Sequence, residues 1–410
     1  MFKSIPYKIS KQSGLLSVYL FALLFMALYG RLGFQILNQV ILWGFGPILA
    51  FYVLEPKLGM LHKTPREYFF YLSMVLFAYM GYLNIEDTSG FYRYLQVFIA
   101  NFVLMIIVFY AINNIKEWEL VWKMVGLVGL IVVVVGYFFE APAIETDEYF
   151  RLTGITGNSN GTANYARVSI VASLILLQLN DNKIIKSLIW AIIIFLAYTI
   201  ILTASRSNFA ILIFILGGYV AFNYFKGWRL ILLLLLLFFF GNLIVYLGET
   251  FLSDYYLFDR LTRNESVSSA LDDEARLQLY LLAWNQFLEH PLLGVGLNQF
   301  RIYSAGKITH TDILDILVQL GIFAGFIYCS IYVVLFNRII KLKKFFTSQK
   351  DVRVYQILLL CFSSELFFGL SNPNWFTQLQ MVVLSLMIVY ATKIRNTSEV
   401  FIKQAGSDEL

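Results

Sequence analysis

Of the 410 residues, 59% are hydrophobic and 14% are charged, against about 25% charged in an ordinary soluble domain. Together with a mean hydropathy of +0.71, this excludes a water-soluble globular protein and predicts an all-α integral membrane domain running from residue 1 to 410. The net charge of +5 calls for no nucleic acid, and three histidines (His62, His290, His310) are too few for a His-rich metal site. Cys329 and Cys361 lie far apart in apolar stretches and read as inert core thiols rather than a disulfide framework.

A helix needs about 20 apolar residues to cross the hydrocarbon core. By that measure the chain offers about twelve spans, near 14–30, 33–54, 67–84, 94–112, 121–139, 164–179, 185–204, 207–224, 229–248, 312–336, 354–370 and 376–394. No A-x-A cleavage site follows the first span, so no signal peptide is expected. If the N-terminus is cytoplasmic, the termini and the even-numbered connections hold 21 of the 31 Lys and Arg. The odd connections include the acidic stretches Glu86–Asp87 and Glu140–Glu148. The positive-inside rule then predicts both termini on the cytoplasmic side.

The ten remaining basic residues are Arg31, Arg93, Arg151, Arg167, Arg206, Arg260, Arg263, Arg276, Arg301 and Lys307. Nine are arginine, whose planar fork suits phosphate and carboxylate. As a set they suggest an anion held on the outer side; singly, each suits a lipid headgroup or a local carboxylate equally. The turn TASRS (Thr203–Ser207) puts Arg206 at membrane depth, where an ionisable residue is costly. Glu365, inside a span, is expected to pair with one of these arginines. The loop RLTGITGNSNGTANYAR (Arg151–Arg167) suits either a polar pocket or an ordinary exposed loop.

The longest connection, 249–311, lies between the ninth and tenth spans, and a loop of this length is commonly functional. Within it Leu277, Tyr280, Leu281, Trp284, Phe287 and Leu288 recur at helical spacing, predicting an amphipathic helix over Glu274–Glu289 that Pro291 and Gly294 end. That helix is expected to lie on the outer leaflet or to roof a cavity. Asp272, Asp273 and Glu274 read as a helix-start charge run. Farther on, Thr309 or Thr311 can cap a new helix with Asp312 in its first turn. His310 thus stands at the mouth of a span, where a boundary residue and a catalytic one are both compatible with the pattern.

TASRS on a span, a DEAR helix (Asp273–Arg276) leading into EHPLLGVGLNQF, and His310 followed by a helix with QLGIFAG together resemble the O-antigen polymerase and ligase superfamily. The motifs cover about Arg151 to Gly325; family members often read His-Asn where this chain has His310-Thr311. The resemblance implies an integral-membrane glycosyltransferase of the bacterial cytoplasmic membrane, without cofactor or metal. It implies inverting transfer at the outer face from sugars carried on undecaprenyl diphosphate. Carried over residue by residue, Arg206 and Arg276 bind the donor diphosphate and His310 takes the proton from the attacking hydroxyl. Arg151, Asn158, Asn160 and Arg263 are further candidates for substrate contact. The implied partners are the lipid-linked oligosaccharide, membrane lipids, a flippase and a chain-length regulator.

Three readings stay open. The first is a polymerase of lipid-linked repeat units for an O-antigen, capsule or exopolysaccharide. The second is a ligase moving finished glycan to another acceptor, and the third a flippase for the same lipid. Neither a clear internal repeat nor a matched pair of Gly/Pro-broken spans favours the transporter.

Overall fold

In the computed structural model, residues 9–29, 40–56, 64–138, 152, 156, 158–224, 267–344, 346 and 348–394 are described. All secondary structure among them is helical, as the apolar composition predicts for a chain whose backbone polar groups must be satisfied within lipid. In chain order the α-helices are α1 (Lys11–Tyr29), α2 (Gly46–Leu54), α3 (Arg66–Met80), α4 (Thr88–Ala111), α5 (Ile115–Phe138), α6 (Ser159–Leu179) and α7 (Lys183–Leu202). They continue with α8 (Arg206–Tyr224), α9 (Val267–Glu289), the single turn α10 (Phe300–Tyr303), α11 (Asp312–Leu342), α12 (Gln349–Gly369) and α13 (Gln378–Val389).

Among the described residues, seven helices (α4 to α8, α11 and α12) are long and apolar enough to cross a membrane, and three shorter apolar stretches lie within 11–24, 43–54 and 378–393. The expected span at 67–84 divides into α3 and a 3₁₀ turn, Gly81–Asn84. The expected span at 229–248 and the first part of the 249–311 loop lie outside the described residues.

The helices pack around an aromatic-rich centre that includes the fully buried Trp118, Trp122 and Trp375. α6 runs between α5 and α7, while α11 packs along α3 and α12 along α8. Contacts between connections sort into two groups. At one end Glu117 accepts the Ser10 N–H at 2.8 Å, Arg338 pairs with the buried Glu67 at 2.7 Å, and Lys393 donates to the Phe109 and Ile112 carbonyls. At the other, Gln299 Oε1 accepts the Glu86 and Asp87 N–H groups, and Leu152 N–H donates to Leu202. The first end gathers the Lys-rich segments and the second carries His310.

One backbone feature fixes that second end. α11 is interrupted at Gly321, with φ 79° and ψ −177°, a region open essentially only to glycine. The break exposes carbonyls that the segment after Pro291 uses. Val295 N–H donates to Val318 at 2.8 Å and Gly296 N–H to Gln319 at 3.1 Å, while Ile322 N–H donates to Pro291 at 2.9 Å. A Cβ on Gly321 would sit 2.1 Å from the Leu292 carbonyl oxygen, and one on Gly294 would sit 2.4 Å from the Gln319 carbonyl carbon. HPLLGVG and QLG, two separate motifs in the sequence, are the two halves of one backbone junction.

α9 is longer than the expected Glu274–Glu289, beginning at Val267, so Asp272–Glu274 lie inside the helix and not at its start. Its apolar faces also differ from the expected one. Ala283 and Phe287 are buried, and Ala283 packs with Val295, Phe300 and Val318. Leu277, Leu281, Trp284 and Leu288, at i, i+4, i+7 and i+11, are exposed. The small Ala283 side chain permits the close approach to α11, and the bulkier stripe is left pointing away from the described protein. That outward stripe suits a lipid surface.

Candidate functional site

His310 is half-buried and sits between two threonines that tie down the entry to α11. Thr311 is the helix cap, its Oγ1 accepting Leu314 N–H at 3.3 Å. Thr309 does not cap; it is buried and donates to Asp315 Oδ1 at 2.7 Å. Burial, and then the positive charge of Arg276, lowers the His310 pKa below its ordinary 6.5. Both causes disfavour imidazolium, so the ring is neutral at pH 7 and equipped to accept a proton. Arg276, on α9, is exposed and within electrostatic range of His310. Sequence spacing alone placed the two 34 positions apart; folding α9 against α11 brings them together.

The two acids of the first turn of α11 are anchors. Asp312 Oδ1 accepts the Asn374 and Trp375 N–H groups, the latter at 3.0 Å, and Oδ2 accepts the Tyr328 hydroxyl at 2.6 Å. Asp315 Oδ2 accepts the Trp375 indole N–H at 2.8 Å and the Gln319 amide at 2.8 Å. Gln319 Oε1 in turn accepts the Asn298 N–H at 2.6 Å. Asp312 and Asp315 are both buried, and a buried carboxylate is tolerated when its lone pairs are met by donors in this way. The segment 371–377, between α12 and α13, is thereby pinned beside His310. Sequence reasoning assigned it no role; its polar run Ser371-Asn372-Pro373-Asn374-Trp375 between two apolar helices is the signal by which it could have been found.

The same segment reaches the TASRS turn. Asn372 Nδ2 donates to Ser207 Oγ at 3.3 Å, and Asn372 Oδ1 accepts Asn160 Nδ2 at 3.1 Å. Arg206, the first residue of α8, stands two positions after Ala204, which adopts a left-handed φ of 51°. Its Nε is buried without a hydrogen-bond partner among the described residues, an orphan donor of the kind that calls for an acceptor. Asn158 is exposed and caps α6 by accepting the Asn160 N–H at 3.0 Å. Arg151 and Arg263 lie outside the described residues.

Arg167 is the arginine of the outer set that pairs with a local carboxylate. It is fully buried, with Nε and Nη2 on Asn164 Oδ1 and Nη1 3.0 Å from Glu365. Its guanidinium also lies 4.7 Å from the Phe368 ring centroid. This is the partner expected for Glu365. Those contacts serve packing between α6 and α12, whereas Arg276 acts on His310 and the turn that carries Arg206 is tied to the 371–377 segment through Ser207 and Asn372.

Residues 191–329, from within α7 to past the α11 break, match the family model described as O-antigen ligase. The matched stretch belongs to the O-antigen polymerase and ligase superfamily. It contains Arg206, Arg276 and His310 together, so the three positions that the resemblance singles out all lie inside it. At a coarse level, membership implies a glycosyltransferase-type membrane enzyme acting on a lipid-linked glycan. No curated protein matched the chain.

Proposed function

We propose that the chain polymerises undecaprenyl-diphosphate-linked oligosaccharide repeat units, by metal-independent inverting transfer at the outer face of the bacterial cytoplasmic membrane. The observation that carries this reading is the half-buried, pKa-lowered His310 beside Arg276, joined through the 371–377 segment to the corner of Arg206. His310 takes the proton of the attacking sugar hydroxyl as the new glycosidic C–O bond forms. The bond from the anomeric carbon to the diphosphate breaks on the opposite side, inverting that carbon. Negative charge grows on the departing diphosphate, and the forks of Arg206 and Arg276 stabilise it where water is scarce.

A cavity of about 610 Å³ between α11 and α12 supports the lipid-linked substrate. Tyr332, Val333, Phe336, Phe362 and Leu366 line it, with Asp312 at its polar end. An apolar channel leading from membrane depth to the His310 corner suits a polyprenyl tail. Twelve spans, cytoplasmic termini and a flippase and chain-length regulator as partners complete the proposal.

The family model's own description favours the second reading, a ligase with a separate acceptor. Purified lipid-linked repeat unit supplied alone distinguishes the two. A ladder of lengthening products supports the polymerase; strict dependence on a second acceptor supports the ligase, and vectorial movement without any new glycosidic bond refutes both.

A further inference from the structure

A second polar cavity, of about 650 Å³, opens between the start of α4 and the segment that precedes α11. Asp87, Arg93, Tyr94, Asn298, Arg301 and Phe376 line it. Both arginines come from the group of basic residues outside the Lys-rich connections, and neither forms a salt bridge among the described residues. Arg301 lies 5.5 Å from the Tyr94 ring centroid, and Tyr94 meets Phe376 edge-on at 5.8 Å. The charge on Arg301 is therefore held over an aromatic face, within electrostatic range of the buried Asp315 but without a direct ion pair to it among the described residues.

Asp87 forms no salt bridge with the two cations among the described residues, although its charge opposes an anion in the cavity. Its Oδ1 is committed to the Ser89 and Gly90 N–H groups and the Ser89 hydroxyl. The hydrogen bond from Gly90, followed by that from Ser89, holds its carboxyl below the ordinary range. The cavity is thus a mixed surface of two guanidinium forks, one fixed carboxylate, an amide and two aromatic rings. Aromatic faces with planar polar groups fit a sugar ring, and a pair of guanidinium forks outnumbering the one carboxylate of the cavity fits an anion carried on it.

The pocket is also contiguous with the His310 corner. Phe376 directly follows Trp375, whose N–H and indole are held by Asp312 and Asp315. A small neighbouring cavity shares Tyr94, Asn298, Arg301 and Phe376 with it and is also lined by Asp315 and Ile308, two residues from His310.

We propose that this pocket is a second glycan subsite that binds a carboxylate-bearing sugar, with Arg93 and Arg301 on the carboxylate and Tyr94 or Phe376 against the ring. It rests on the reading of the chain as a glycan transferase, and it adds a chemical preference to that reading: one sugar of the substrate is acidic.

The test is equilibrium binding of methyl β-D-glucuronide and methyl β-D-glucoside to the full chain in nanodiscs of zwitterionic lipid, read by ligand-observed NMR without turnover. The glucuronide should bind about tenfold tighter, the effect of one charge-assisted contact. The double variant R93Q/R301Q should bring the two sugars level. D87N should tighten glucuronide binding, since Asn preserves the helix cap while removing the negative charge; this variant decides the matter if the double variant does not fold. Equal affinity for the two sugars, or no response to D87N, overturns the proposal. Loss of glucuronide binding in nanodiscs containing phosphatidylglycerol assigns the pocket to a lipid headgroup and overturns it too. Because no bond is made, a negative result leaves the transfer reading intact, while failure of the ladder assay leaves this measurement unaffected.

Discussion

The Asp312 carboxylate accepts the backbone N–H of Trp375 at 3.0 Å, across a gap of 63 residues in sequence. That bond, with those from Asn374 and Tyr328, fixes the segment joining α12 to α13 against the start of α11, two residues from His310. The acids of the first turn stabilise the helix start by their charge and also hold the neighbouring connection. Several consequences can be measured.

Replacing Asp312 by Ala strands two backbone N–H groups and the Tyr328 hydroxyl in a buried site. Unsatisfied buried donors cost about 1–3 kcal/mol each, part of which local rearrangement recovers. Asp312→Ala should lower the unfolding midpoint in detergent markedly and abolish transfer. Asp312→Asn, which keeps a carbonyl acceptor, should lose less stability. Equal midpoints for the two variants would show that the carboxylate is not the anchor.

His310→Ala should reduce glycan extension by about 10²–10⁴, the range for loss of a general base, with the unfolding midpoint unchanged. Because burial and Arg276 lower its pKa, the acid limb of the wild-type rate profile should have its midpoint below 6.5. A general base works deprotonated, so the rate falls as pH drops through that midpoint. A limb centred above 6.5 would assign the base to another group.

Arg276→Gln removes a positive neighbour that disfavours imidazolium. The acid limb should therefore move to higher pH while staying below 6.5, since burial, the larger cause, remains. Arg276→Lys should keep the limb in place yet raise KM for the lipid-linked donor, because an ammonium lacks the bidentate fork. An unshifted limb in Arg276→Gln would separate the two residues electrostatically.

Gly321→Ala should destabilise by more than the ~1–3 kcal/mol of an unfavourable backbone region, because its Cβ would also collide with the Leu292 carbonyl. Gly306 provides the comparison: its φ is +84° but its Cβ would meet nothing within 4 Å. Gly306→Ala should cost only the conformational part. Thermal unfolding of both in detergent gives the difference, and equal losses would refute the steric junction.

Composition and hydropathy determined that this chain is helical and membrane-embedded, because a backbone in lipid has few ways to satisfy its own polar groups. The distribution of Lys and Arg separated the two ends of the bundle, and local motifs marked Arg206, Arg276 and His310. Glu365 was recognisable as needing a cation, since an unpaired carboxylate within a span is costly. What sequence left undecided depends on contacts between distant segments. Arg167 is taken up by Glu365 and Asn164, whereas Arg93 and Arg301 line a cavity, and all three are simply arginine in the sequence. Helical spacing grouped Phe287 with the outward stripe of α9 because it gives a period but not a phase; the close fit of Ala283 against the broken α11 sets the phase and buries Phe287. His310 was already marked as the base by its motif; the burial and the charge of Arg276 that lower its pKa exist only once α9 and α11 meet.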